Sequence, residues 1–207
     1  MKDKEMKKRE EIVNAVTHGI GVGLALAGFI ILIIQTESQA LPGFMIYGLS
    51  LILLYLASTI YHSVSHPRKK LLFKKLDHIA IFILIAGTYT PFCLNALHGW
   101  PGWTLLAAVW GLAAAGILFK VFHAGRHEMI SLILYIATGW LVIAAIKPIY
   151  HSLTGAGFLL LILGGLFYSS GIIFYVSRRI RYNHAIWHLF VLAGSSFHFF
   201  SVMTLNG

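Results

Sequence analysis

The sequence predicts an all-α integral membrane protein: a seven-transmembrane-helix bundle with its N-terminus inside and its C-terminus outside. Three observations carry this. The 207 residues are 58% hydrophobic and only 11% charged, too apolar and too charge-poor for a soluble domain of that size. Seven runs of roughly 20 apolar residues, the length a helix needs to cross a hydrocarbon core of about 30 Å, follow one another along the chain. The cations between those runs fall almost entirely on one side.

Taken in order, the first run, 15 to 35, follows a basic segment, 1–14, that opens MKDKEMKKREE. No small-residue cleavage site follows it, which predicts a retained first helix rather than a cleaved signal peptide. QTESQALPG separates it from the second run, 43 to 63, and HPRKKLLFKK is the expected loop before the third, 78 to 97. Only HGWPG, His98 to Gly102, precedes the fourth run, 102 to 120, which suffices for an antiparallel helical hairpin. The fifth, 129 to 147, comes after FHAGRHEM; the sixth is 154 to 176; SRRIRYN leads into the seventh, 185 to 204. All seven form one domain, 1–207, with no room for a separate soluble one.

Orientation follows from Lys and Arg in the short connections. One side holds Lys2, Lys4, Lys7, Lys8, Arg9, Arg68, Lys69, Lys70, Lys74, Lys75, Lys120, Arg126, Arg178, Arg179 and Arg181; the other has Lys147 alone. This places the N-terminus inside. A net charge of +9 therefore needs no nucleic-acid partner, because anionic headgroups account for it. The single cysteine, Cys93, excludes an intramolecular disulfide. The glycine-rich GIGVG at Gly19 to Gly23 lies inside an apolar helix, so it serves close helix packing rather than nucleotide binding. It permits, without demanding, association between protomers.

A strongly polar group inside a span costs on the order of 2.5 to 3.5 kcal/mol, so each should face the bundle interior with a partner. Glu11, Asn14 and His18 share one face of the first helix, an arrangement expected of an inward polar stripe satisfied by neighbouring helices. Ser58 and His62 lie one turn apart near the inner end of the second helix; His66, before Pro67, is expected at the surface. Asp77 is expected to begin the third helix, where alone it would pair with Lys74 or Lys75 or cap the helix. Helix seven enters from the same side, with Asn183 as its expected N-cap and His184 and His188 one turn apart.

Two neutral imidazoles at that spacing point at one ion, and a third with a carboxylate or water completes a four-coordinate shell suited to zinc. Spacing alone is weak evidence, since His123 and His127 share it across Gly125 and Arg126 in a loop and are expected to be surface residues. Convergence of His62, Asp77, His184 and His188 on one level leaves two readings: a metal site, or a buried hydrogen-bonded network of histidines with an aspartate.

ExxNxxTHxxG (Glu11 to Gly21), SxxYHxxxH (Ser58 to His66), KLDHIAI with GTYTPF (Lys75 to Phe92) and HxxWHxFVxxGxxxHF (His184 to Phe199) resemble the hemolysin III family. That family is the bacterial branch of the progestin and adipoQ receptor superfamily and is more distantly like the alkaline ceramidases. The resemblance covers nearly the whole chain. It implies a multi-pass cell-membrane protein with Zn2+ near the inner face, His62, His184 and His188 as direct ligands, and Asp77 binding the metal or holding its water. Ser58 matches the serine one turn before the helix-two histidine, and His198 a further family histidine, structural or adjacent to the ligands. The chain lacks the large cytoplasmic domain of the animal receptors, so hormone-receptor function is not implied.

Three functions compete. Zinc-dependent hydrolysis of a lipid amide or ester would use Asp77 as general base and Ser58 to hold water or the developing oxyanion. A non-enzymatic part in sensing or maintaining membrane state would use zinc as a structural clamp. Cytolytic pore formation, which the family name suggests, fits poorly with a chain embedded throughout. A rhodopsin-like receptor is excluded by the absence of a helix-seven lysine and by the reversed orientation.

Overall fold

A computed structural model describes residues 2–35, 37, 39–97, 99–123, 127–177 and 179–206, with side chains from Glu5 to Leu205 within those ranges. Gly125, Arg126 and Arg178, all expected in loops, lie outside the described residues. Among the described residues there is no strand, and seven helices are long and apolar enough to cross a membrane.

α1, Lys2–Gln35, is 34 residues long, so its charged opening turns overhang an apolar stretch that already spans the core. α2, Leu41–Ser63, starts with Pro42 in its first turn, where a missing N–H costs nothing, and ends as the chain becomes extended at Val64. α3, Pro67–Pro91, begins directly after an extended His66. The stretch expected to be a loop, Arg68 to Lys75, is therefore helix. Hydropathy locates the apolar part of this element, whereas Pro67 at the first helical position and the good helix formers after it extend it toward the N-terminus. Asp77 accordingly sits about three turns inside α3 rather than at its start, and it does not cap.

Pro91 closes α3 and a single π-helical turn, Phe92–Ala96, follows, as expected where proline removes a backbone donor. Gly99, at φ +72°, makes the tight turn into α4, Trp100–Phe122. The fifth crossing is interrupted: α5, Glu128–Gly139, passes through a 3-10 stretch, Trp140–Ala145, into α6, Ile146–Ser152. Pro148 explains the break, since it cannot donate to the carbonyl of Ala144 and its ring crowds that turn. α7, Gly155–Val176, is capped by Thr154, whose hydroxyl accepts from the Gly157 N–H at 3.0 Å. α8, Asn183–Met203, is preceded by Tyr182 in the left-handed region. Asn183 is thus the first helical residue and not the cap; its amide instead donates to the Phe174 carbonyl at 3.2 Å.

α1 packs against both α2 and α8, α2 against α3, α3 against α4, and α7 against α8. The outward faces carry exposed aliphatic and aromatic residues such as Ile20, Leu24, Leu159, Ile173 and Phe200, while Asn14, His18, Ser58, His62, Asp77, His188 and His198 are buried. Apolar outside and polar inside is what a hydrocarbon solvent selects. Lys120, grouped with the loop cations from sequence, is also buried, at 1% exposed. Its ammonium donates to Glu128 at 2.9 Å, and Glu128 also receives Lys74 at 3.1 Å. The pair ties the end of α4 to the start of α5, and burial without that carboxylate would be prohibitive.

Candidate metal centre

The end of α2 and the first turn and a half of α8 bring His62, His184 and His188 together, with one nitrogen of each within 4.8 Å of the others. Ring centroids lie 4.9 Å apart for His62 and His184, 5.2 Å for His62 and His188, and 4.6 Å for His184 and His188. All three Nε2 atoms are buried and accept or donate no hydrogen bond. A buried polar atom left unpaired costs about 1 to 3 kcal/mol. Three such atoms converging on one point are accounted for by a ligand common to them.

The far side of two of these rings selects the tautomer a metal needs. Nδ1 of His62 lies 2.9 Å from Glu11 Oε2, and a carboxylate only accepts, so Nδ1 carries the proton and Nε2 a bare lone pair. Glu11 is shared with Lys70, whose ammonium donates to the same oxygen at 2.6 Å. Nδ1 of His188 lies 3.0 Å from the Thr17 hydroxyl. That hydroxyl spends its only proton on the Asn14 carbonyl at 2.9 Å, so it must accept from Nδ1–H, leaving Nε2 of His188 bare as well. An outer partner fixing the donor nitrogen in this way is a regular feature of histidine metal sites. The residues therefore fit a metal with a preference for nitrogen.

The remaining sequence candidates take different places. Asp77, 4% exposed, lies outside the group of three and lines the adjoining cavity. The Ser58 hydroxyl faces the Asp77 carboxyl without closing a hydrogen bond to it. His18 stacks on His188 with centroids 3.5 Å apart and planes 13° apart, and neither of its nitrogens has a partner. Asn14 is buried, its carbonyl serving Thr17. His198 is ten residues beyond His188, about 15 Å along α8, and takes no part in the cluster. His66, His123 and His127 are exposed, and the His123 and His127 rings stand 6.0 Å apart.

Sequence reasoning misses Thr17 and Lys70. Thr17 follows Asn14 by three residues and is available on the same helical face; Lys70 is hidden as long as its segment reads as a loop. A cavity of about 150 Å³ runs from this level into the bundle, between α3, α5, α7 and α8. Its wall carries Asp77 and His18 at one end and His198 at the other, with aliphatic residues such as Leu84, Ile172 and Val191 between.

Residues 6–199 match the family described as haemolysin-III related. The chain is 53% identical over 199 residues to hemolysin-3 of Bacillus cereus, covering 94% of this chain and 91% of that one. It is 50% identical to the hemolysin-3 homolog of Bacillus subtilis (strain 168), covering 94% and 93%. It is 26% identical over 204 residues to the monocyte to macrophage differentiation factor of Homo sapiens, covering 93% and 83%. The chain thus belongs to the haemolysin-III related family and is a multi-pass cell-membrane protein, with a distant relation to that animal factor.

Proposed function

We propose that this member of the haemolysin-III related family is a zinc-dependent hydrolase acting on a lipid amide or ester within the membrane. The carrying observation is the set of three buried Nε2 atoms of His62, His184 and His188, two of them held as bare acceptors by Glu11 and Thr17. The fifteen cations on one side support placing this end of the bundle at the cytoplasmic face.

His62, His184 and His188 would hold zinc, leaving a position open to water. When bound, the metal supplies a water whose pKa falls towards ~7 and a Lewis acid for a carbonyl. The chain's own groups perform the rest. Asp77, on the wall of the cavity, would accept the proton of the attacking water at its carboxylate and return it to the departing amine or alkoxide. Ser58, buried and unpaired, would donate a hydrogen bond to the oxygen on which negative charge develops. The cavity, walled mostly by apolar side chains, would receive part of the acyl chain.

Metal analysis of purified wild type against His184→Ala and His188→Ala tests the site, with zinc expected in wild type alone. Equal zinc in all three would remove it. Asp77→Asn then separates hydrolysis from a structural clamp: zinc and fold are retained while lipid turnover is lost. Undiminished function in that variant would sink the hydrolase.

A further inference from the structure

His198 is 8% exposed, three quarters of the way along the α8 span, and its imidazole is only half satisfied. Nε2 lies 3.1 Å from the Leu161 carbonyl. A carbonyl only accepts, so Nε2 carries the proton, and a charged ring without a carboxylate partner is not sustained at that depth. Nδ1 is therefore a bare acceptor, buried and without a partner. The Cδ2–Nε2 edge rests on the α7 backbone at Gly164, where a methyl group would overlap the ring. That close approach turns Nδ1 away from α7. His198 lines the deep end of the cavity whose other end holds Asp77, and it also borders a smaller void of about 50 Å³.

The other polar groups at this depth are used internally. Tyr168 and Tyr55 both reach Ser195 at 2.6 Å, Tyr89 donates to the Gly139 carbonyl at 2.6 Å, and Trp140 donates to Ser169 at 2.9 Å. His198 Nδ1 stands out as an acceptor with nothing to accept.

We propose that the deep end of the cavity is a subsite for a hydroxyl group on the acyl chain of the lipid, donated to His198 Nδ1 about 15 Å from the histidine cluster. The walls between the two ends are mostly apolar, aliphatic side chains such as Leu84 and Ile172 together with the rings of Tyr135, Trp140 and Tyr175, so the ligand has a polar head, a mostly apolar middle and one hydroxyl donor. A chain with no hydroxyl leaves Nδ1 buried and unpaired, and that penalty discriminates more strongly than apolar packing along the walls. The inference deepens the hydrolase reading by naming a feature of its substrate, and it rests on that reading only for the word substrate.

Oleic acid and ricinoleic acid differ by one mid-chain hydroxyl. Their binding to the purified full chain in detergent is measured by the shift in Tm across a concentration series. Wild type is expected to bind ricinoleic acid about fivefold more tightly. His198→Phe removes the acceptor while keeping a planar ring, and there the preference disappears with oleic acid still bound. Equal affinity for the two acids in wild type overturns the subsite whatever the variant does, and so does a preference that survives in His198→Phe. The same titration on His184→Ala separates the two readings. A retained preference without zinc leaves the subsite standing alone, and equal binding by zinc-loaded wild type removes the subsite alone.

Discussion

Thr17→Val is the sharpest test of how the histidine cluster is prepared for a metal. The two side chains have nearly the same shape, so the substitution removes the hydroxyl and little else. In the native arrangement His188 Nδ1–H donates across 3.0 Å to Thr17 Oγ1, whose own proton is committed to Asn14. Valine removes the hydroxyl that accepts from that ring nitrogen, at a cost of about 1 to 3 kcal/mol where no other acceptor replaces it. It also lifts the constraint that keeps the proton off Nε2, the atom that must present a lone pair. Losing such an outer partner lowers metal affinity about 10- to 100-fold, or about 1.4 to 2.7 kcal/mol. Competition with a chromophoric zinc chelator on detergent-purified protein measures this directly. Thr17→Ser keeps the hydroxyl and should bind within a factor of about three of wild type. Zinc binding by Thr17→Val as tight as wild type would refute the tautomer argument, and with it the account of why α1 belongs to the site.

Glu128→Gln should destabilise more than Lys120→Met. It strands a cation that is 1% exposed and has Glu128 as its one ion-pair partner among the described residues, at about 3 to 5 kcal/mol. Lys120→Met instead leaves a part-exposed Glu128 still paired with Lys74, and the double variant should recover part of the loss; thermal unfolding giving the reverse order would sink this account. Zinc occupancy should fall as the medium is acidified, because protons compete for the same Nε2 lone pairs and only the neutral rings bind. Equilibrium dialysis showing constant occupancy down to the pH at which the protein unfolds would contradict histidine ligation.

The parts legible in the sequence are those governed by hydropathy and by parity. Seven apolar runs give seven crossings, and counting crossings brings the end of α2 and the start of α8 to one level. His62 therefore meets His184 and His188 although 121 residues lie between the first two in the chain. What hydropathy hides is helix that lies outside the apolar stretch. Arg68 to Lys75 are as polar as a loop, yet Pro67 starts a helix there, which places Lys70 within reach of Glu11. Lys120 escapes for a related reason: a cation at a helix end is indistinguishable in sequence from a surface cation until its carboxylate is located in space. The 3-10 interruption before Pro148 is signalled by the proline, but its extent depends on packing. The Tyr182 backbone conformation displaces Asn183 from its expected cap, and nothing in a tyrosine announces that.

α1 donates none of the three converging nitrogens, yet it supplies Glu11, Thr17 and His18, each against a cluster histidine. The reason is geometric. α1 packs against both α2 and α8, so it lies against both helices that carry the cluster. Its inward face therefore meets the rings of His62 and His188 from the side opposite their bare nitrogens. Glu11 extends the same role to α3 through Lys70, making one carboxylate a junction of three helices. A metal seated on the cluster would therefore hold the last helix to the first two, and its binding free energy would be spent on closing the ring of helices. Loosening α1 would free the imidazoles to change tautomer without touching a ligand. Metal affinity is thus a property of the packing of the first helix as much as of the three histidines.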